Sequence, residues 1–154
     1  MGMYSHLHYD FALRTKANLE FIEKAYQEGS PGVYNVTQLA NSLLGMVIFL
    51  KDGQHLPNVP LNYLYHEEHM RVDFDDSQDC RKTNHFLRRF RNAIAHCRFE
   101  AFGSNDDIQV FTMHDQKYGR PVDWKIHITT QEIRDIAFGL VDYEINHSPN
   151  RDAA

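Results

Sequence analysis

Arg91, Asn92 and His96 stand in the run Arg91-Asn92-Ala93-Ile94-Ala95-His96, inside the only strongly basic stretch of the chain. Together they offer the parts of a phosphate-transfer site. An imidazole titrates near pH ~6.5, so it takes up and returns protons at working pH. A guanidinium keeps its charge and presents a planar fork to phosphate oxygens. A carboxamide four residues before the histidine can hold the ring in one tautomer. RNA supplies its own nucleophile: when a 2′-OH attacks the adjacent phosphate, the enzyme needs a base, an acid for the leaving 5′-oxygen, and positive charge on the pentacoordinate transition state. The scheme requires no metal and no cofactor.

Spacing alone carries little. Ten Arg and ten His in 154 residues give about 0.65 chance pairs at this separation, and requiring Asn directly after the Arg lowers the figure to about 0.04. The setting sharpens it further. Arg81, Lys82, Arg88, Arg89, Arg91 and Arg98 place six cations and no carboxylate between 81 and 98, so that segment is +6, while the rest, at 10 cations against 21 acidic residues, is −11. Arg88, Arg89 and Arg98 are assigned to flanking RNA phosphates, which makes binding salt-sensitive. On an ideal helix Arg91 and His96 lie roughly 140° apart. Arg91 must therefore reach around, or the helix end must be distorted, or a second copy must complete the site across a two-fold axis. The competing structural reading gives Arg91 a surface ion pair with the acidic segment and His96 a favourable place at a helix C-terminus.

The elements that must position these residues read as mainly helical. Phe11, Leu19, Ile22, Ala25 and Tyr26 repeat at helical spacing over 10–28, ending before Gly29. Asn35 or Thr37 is placed to cap a second helix, apolar almost all round from Val36 to Phe49 and so central. Thr83 is a candidate cap for a third helix to about Arg98, with Phe86, Phe90, Ala93 and Cys97 as its core stripe. Thr129 and Glu132 have capping-box spacing before a fourth helix that runs to about Asn146. Phe99 to Phe102 reads as a short extended piece, and 108–114 with 124–129 alternate around Gly119-Arg120-Pro121 as a hairpin. The expected fold is thus a helical bundle of four to five helices, with a small β-hairpin inserted before the last one. It forms one domain over 1–147, with a frayed tail at 148–154.

The segment from Asp52 to Cys80 breaks the pattern. It carries Glu67, Glu68, Asp73, Asp75, Asp76 and Asp79, read first as a solvated surface and otherwise as a screen for the basic helix or a mimic of nucleic acid; a segment of that length hides a short helix, contacts a partner or is mobile. His66-Glu67-Glu68-His69 offers metal-ligand residue types without metalloprotease spacing, and no metal site is assigned. The crowd of Tyr4, His6, His8 and Tyr9 reads as packing or an interface rim. Cys80 and Cys97 read as buried thiols in a reducing compartment, with a disulfide between them as the alternative. No apolar run approaches the ~18 residues of a membrane span and no leader opens the chain, which predicts a cytoplasmic protein. The net charge of −5 argues against a constitutive non-specific nucleic-acid binder.

The order Arg91, Asn92, His96 on a late helix of a small helical bundle resembles the HEPN superfamily, the higher eukaryotes and prokaryotes nucleotide-binding domains. The stretch from Thr37 to Gly45, continuing through Phe49, looks like a helix of small, plasmid-associated bacterial HEPN proteins. Two departures stand out: Leu50 occupies an expected proline position, and Cys97 a common glycine position. The resemblance implies a metal-independent endoribonuclease, toxin-like or defence-related. Its site would form between two protomers and use Arg91, Asn92 and His96, and a minimal nucleotidyltransferase would serve as antitoxin. The alternative it leaves open is a non-catalytic HEPN module for dimerisation or RNA binding.

Overall fold

The computed structural model describes residues 7–52, 56–64, 70–77, 81–104 and 107–147. Among these described residues there are four α-helices: α1 (Leu7–Gln27), α2 (Asn35–Asp52), α3 (Thr83–Ala95) and α4 (Thr130–His147). Four strands accompany them: β1 (Arg71–Asp75), β2 (Phe99–Ser104), β3 (Asp107–Asp115) and β4 (Trp124–Thr129). All four form one antiparallel sheet in the order β1-β4-β3-β2.

This corrects the expected fold. The hairpin of β3 and β4 is the centre of a four-stranded sheet, flanked by β2 from the residues after α3 and by β1 from within the acidic segment. The short helix expected in that segment is a single 3-10 turn at Leu61–Tyr63.

One face of the sheet carries Phe111 and Met113 of β3 with Trp124, Ile126 and Ile128 of β4, all buried. Alternation along a strand puts every second side chain on one face, and in the β3–β4 register Phe111 faces Ile128 while Met113 faces Ile126. Phe86, Leu87, Phe90 and Ala93 of α3 lie in the same buried core, with the Phe86 and Trp124 rings edge to face at 6.2 Å. Each such fully buried apolar side chain contributes about 2 kcal/mol, so α3 is held to the sheet along its whole length.

Helix α4 starts as the spacing predicted. The Thr129 backbone N–H donates to Glu132 Oε2 at 2.7 Å and the Glu132 N–H to Thr129 Oγ1 at 3.2 Å, the reciprocal pair of a capping box. Thr83 does not cap α3 in the same way: its hydroxyl is buried and unpartnered among the described residues. Gly139 of α4 lies where the chain after the 3-10 turn crosses the helix, and a Cβ there would press on the Leu64 carbonyl. Leu50, fully buried, lies inside α2, where a proline would remove a helix hydrogen bond.

Helices α1 and α4 are tied by the bidentate pairing of Arg134 with Glu23. The hydrogen bond from Arg134 holds the Glu23 carboxyl below its ordinary 4.5, against the opposing effect of burial. A carboxylate whose folded pKa is lowered adds stability above its unfolded pKa and loses it as the pH falls through the folded value. The pair is partly exposed, so its contribution is about 1 kcal/mol or less. Urea titrations of the wild type and Glu23→Gln should therefore differ at neutral pH and converge once the pH has fallen well below 4.5. A gap that stays constant into acid would show that the pairing does not stabilise the fold.

Candidate active site

The site is built at the C-terminal end of α3. His96 is the C-cap residue, at φ −104° and ψ 12°, with its backbone N–H still bonded to the Asn92 carbonyl. Cys97 follows at φ 53°. The Cys97 N–H reaches the Ile94 carbonyl at 3.1 Å and the Arg98 N–H the Ala93 carbonyl at 2.8 Å. Those two bonds define a Schellman stop, and the chain passes straight into β2. The helix end is thus distorted at His96, one of the three routes by which residues roughly 140° apart can serve one site.

The same stop accounts for the second departure, since glycine is favoured where φ is positive. The left-handed region costs a side chain about 1 kcal/mol or more, and the freer unfolded chain of a glycine offsets part of that. Cys97→Gly is expected to raise stability by about 0.5 kcal/mol; thermal melting reads it, and a lower melting point contradicts it. Cys97 is exposed, so its expected burial is corrected. Cys80 lies outside the described residues.

Asn92 does not bond the imidazole, as its i, i+4 spacing suggested. Its Oδ1 accepts from Arg91 Nη1 at 3.1 Å and its Nδ2 donates to Asp115 Oδ2 at 3.2 Å. Both ends of the amide are therefore fixed, and Asn92 links Arg91 to β3. Arg91 is half-buried and His96 exposed. Among the described residues the His96 ring has no hydrogen-bond partner.

Asp115, at the end of β3, is the hub of this arrangement, with its side chain only 3 % exposed. Its Oδ1 accepts from Arg98 Nη1 at 2.9 Å; its Oδ2 accepts from Arg89 Nη1 at 2.9 Å besides Asn92. Arg89 also grips both oxygens of Asp123, at 2.8 and 3.0 Å, and Arg98 donates to the Gln116 carbonyl at 3.0 Å. Burial works against the Arg89 charge, and the hydrogen bonds to Asp123 and Asp115 outweigh it, leaving its pKa raised.

Of the three arginines assigned to flanking phosphates, then, Arg89 and Arg98 have their forks turned to carboxylates. Arg88 is exposed, its Nε on the Asn84 carbonyl of its own helix at 3.3 Å. Asp115 and Asp123 were absent from the sequence reading. A signal for Asp115 existed: it shares the parity of Phe111 and Met113 on β3, the core-facing set, and a carboxylate there must be paired.

The acidic segment is not simply a solvated surface. Asp75 Oδ2 meets His85 Nε2 of α3 at 3.1 Å, with both side chains under a tenth exposed. Asp73 Oδ2 meets His127 Nε2 at 2.8 Å, and the bond from His127 lowers the Asp73 pKa. His66, Glu67, Glu68 and His69, and also Tyr4 and His6, lie outside the described residues. No three His, Cys, Asp or Glu of the described residues are grouped to hold a metal ion, and none of their helices is long and apolar enough to cross a membrane.

The family whose model matches this sequence is described as HEPN pEK499 p136, and the match runs over residues 1–151. No curated protein and no solved structure matches the chain.

Proposed function

Since the chain belongs to the HEPN pEK499 p136 family, we propose that it is a metal-independent endoribonuclease acting in the cytoplasm as a toxin-like or defence-related enzyme. The observation that carries this reading is the locked carboxamide of Asn92, which holds Arg91 five residues before an exposed imidazole that has no hydrogen-bond partner among the described residues, at a distorted helix end. An enzyme of this kind needs those conditions: a fixed charge for the phosphoryl oxygens and a histidine free to move protons. His96 takes the proton from the 2′-OH or gives one to the leaving 5′-oxygen. Arg91 faces the phosphate, and Asn92 positions Arg91 rather than the ring.

Arg91 and His96 lie roughly 140° apart by helix geometry, and in this reading a second copy completes the site. In that homodimer Arg91 of one protomer serves His96 of the other. A small antitoxin of nucleotidyltransferase type is the restraint that family likeness implies. Mixing inactive Arg91→Ala with inactive His96→Ala protein, under conditions that exchange subunits, should restore cleavage, because one of the two sites in the mixed dimer is then intact. Failure to restore it in dimers shown to have exchanged would contradict the composite site.

A second reading is favoured by one observation. Pairing of Arg89 and Arg98 with Asp115 and Asp123 removes two of the six charges counted on the basic segment. A module that only dimerises or holds RNA would keep that network and show no cleavage at all, with the Arg91 and His96 variants impaired in assembly or binding alone.

A further inference from the structure

A groove of about 370 Å³ lies beside the site, between α3 and the turn that joins β3 to β4. His85, Arg88 and Asn92 line it from the helix, and Gln116 and Lys117 from the turn. His85, Asn92 and His96 fall within roughly 40° of one another at 100° per residue. The groove therefore runs along the helix face that leads to His96, and Arg88 stands about 12 Å before His96 along the axis.

The charges of the groove favour an anion. At its floor Asp115 is held by Arg89, Arg98 and Asn92, and Asp123 by Arg89, so two cations balance two carboxylates. Arg88 from the helix and Lys117 from the turn, both exposed, add two further cations to the lining and leave the groove net positive even with Asp75, the partner of His85, counted. Lys117 opens a tight turn closed by the Arg120 N–H on its carbonyl at 3.0 Å, with Gly119 at φ 69°. Tyr118, at the tip of that turn, is fully exposed, and a bare aromatic ring among cations is a stacking platform for a base. The volume lies at the small end of ligand pockets, fit for one nucleotide unit rather than a duplex.

We propose that this groove is a subsite for the nucleotide flanking the scissile phosphate of a single-stranded RNA, with its phosphate between Arg88 and Lys117 and its base on Tyr118. The inference rests on the ribonuclease reading above and adds the residues that hold the strand on one side of the cut. A free mononucleotide shares that chemistry, and the test separates the two.

The probe is a single-stranded oligonucleotide made cleavage-resistant by 2′-deoxy substitution, titrated over a range of salt; adenosine 5′-monophosphate is titrated beside it. Wild type, Arg88→Ala, Lys117→Ala, Tyr118→Ala and Tyr118→Phe are compared, with a cleavable RNA of the same sequence for kcat and KM. Arg88→Ala and Lys117→Ala should each lower the slope of log affinity against log salt by about 0.7, the increment for one phosphate contact on a single strand. Both should raise KM with little change in kcat. Tyr118→Ala should weaken binding about tenfold, within the range for one lost base stack, and Tyr118→Phe should restore it.

Wild-type salt slope and KM in the Arg88 and Lys117 variants, with cleavage intact, would overturn the subsite and leave the ribonuclease reading standing. Loss of mononucleotide binding alone, with the RNA unaffected, would also overturn it. A wild type that neither binds nor cleaves RNA would remove both.

Discussion

Asp115→Ala is expected to cost about 3 kcal/mol of stability, the order found when one partner of a buried ion pair is removed, and to lower the melting point by about 10 °C. Arg98 would lose its only carboxylate among the described residues, and Arg89 would keep Asp123 alone. The effect on cleavage is separate from the effect on folding. Without Asp115 the Asn92 amide is free to turn, and the hydrogen bond that holds Arg91 goes with it. Well below the melting point, with the circular dichroism spectrum unchanged, kcat should still be about tenfold lower, as small misplacements of a phosphate-facing group lead one to expect. KM should change little. Asp115→Asn, which keeps the shape and one acceptor oxygen, should recover part of the stability without recovering kcat. A folded Asp115→Ala protein that cleaves at the wild-type rate would show that the hub only stabilises the fold.

His96→Ala should reduce cleavage by about a thousandfold, within the range for loss of a general acid or base. It should do so without unfolding the protein: the ring is exposed and the C-cap bonds are made by the backbone. A stability change within about 1 kcal/mol, the helix-dipole contribution of a histidine at that end, is the expected limit. The contrast with Asp115 is diagnostic, since one substitution acts on chemistry alone and the other on chemistry and folding together. Unaltered cleavage in a folded His96→Ala protein would remove His96 from the mechanism.

The helices were legible because their signals are local. The stripe of Phe86, Phe90 and Ala93 fixes the inner face of α3, and Thr129 with Glu132 marks the start of α4 three residues apart. The edge strand β1 was not, whereas the residues of β2 from Phe99 to Phe102 read as extended. β1 is five residues with four exposed, its Val72 and Phe74 separated by the charges of Arg71, Asp73 and Asp75 and interrupted by a bulge. It becomes a strand only by pairing with β4, some fifty residues on (register Val72 with Ile126).

The same distance hid the logic of the site. Arg89 looks like a phosphate ligand next to Arg88, yet its carboxylates lie 26 and 34 residues away in sequence. Asn92 looks like a partner for His96 by helical spacing, and Asp115 takes its amide across 23 residues instead. Motif, charge cluster and helix end were readable one residue at a time. The network that orders them depends on the sheet, whose long-range pairing leaves little trace in a local window.

The most direct measurement uses two chemically defined RNA strands, one all-ribose and one with a single 2′-deoxy residue at the mapped cut, incubated with purified protein in EDTA. Cleavage of the first strand, fragments ending in 2′,3′-cyclic phosphate, and no cut at the deoxy position are the predicted result. Cleavage that vanishes in EDTA, or proceeds unchanged at the deoxy position, would contradict attack by the 2′-OH at a metal-independent site built on Arg91 and His96.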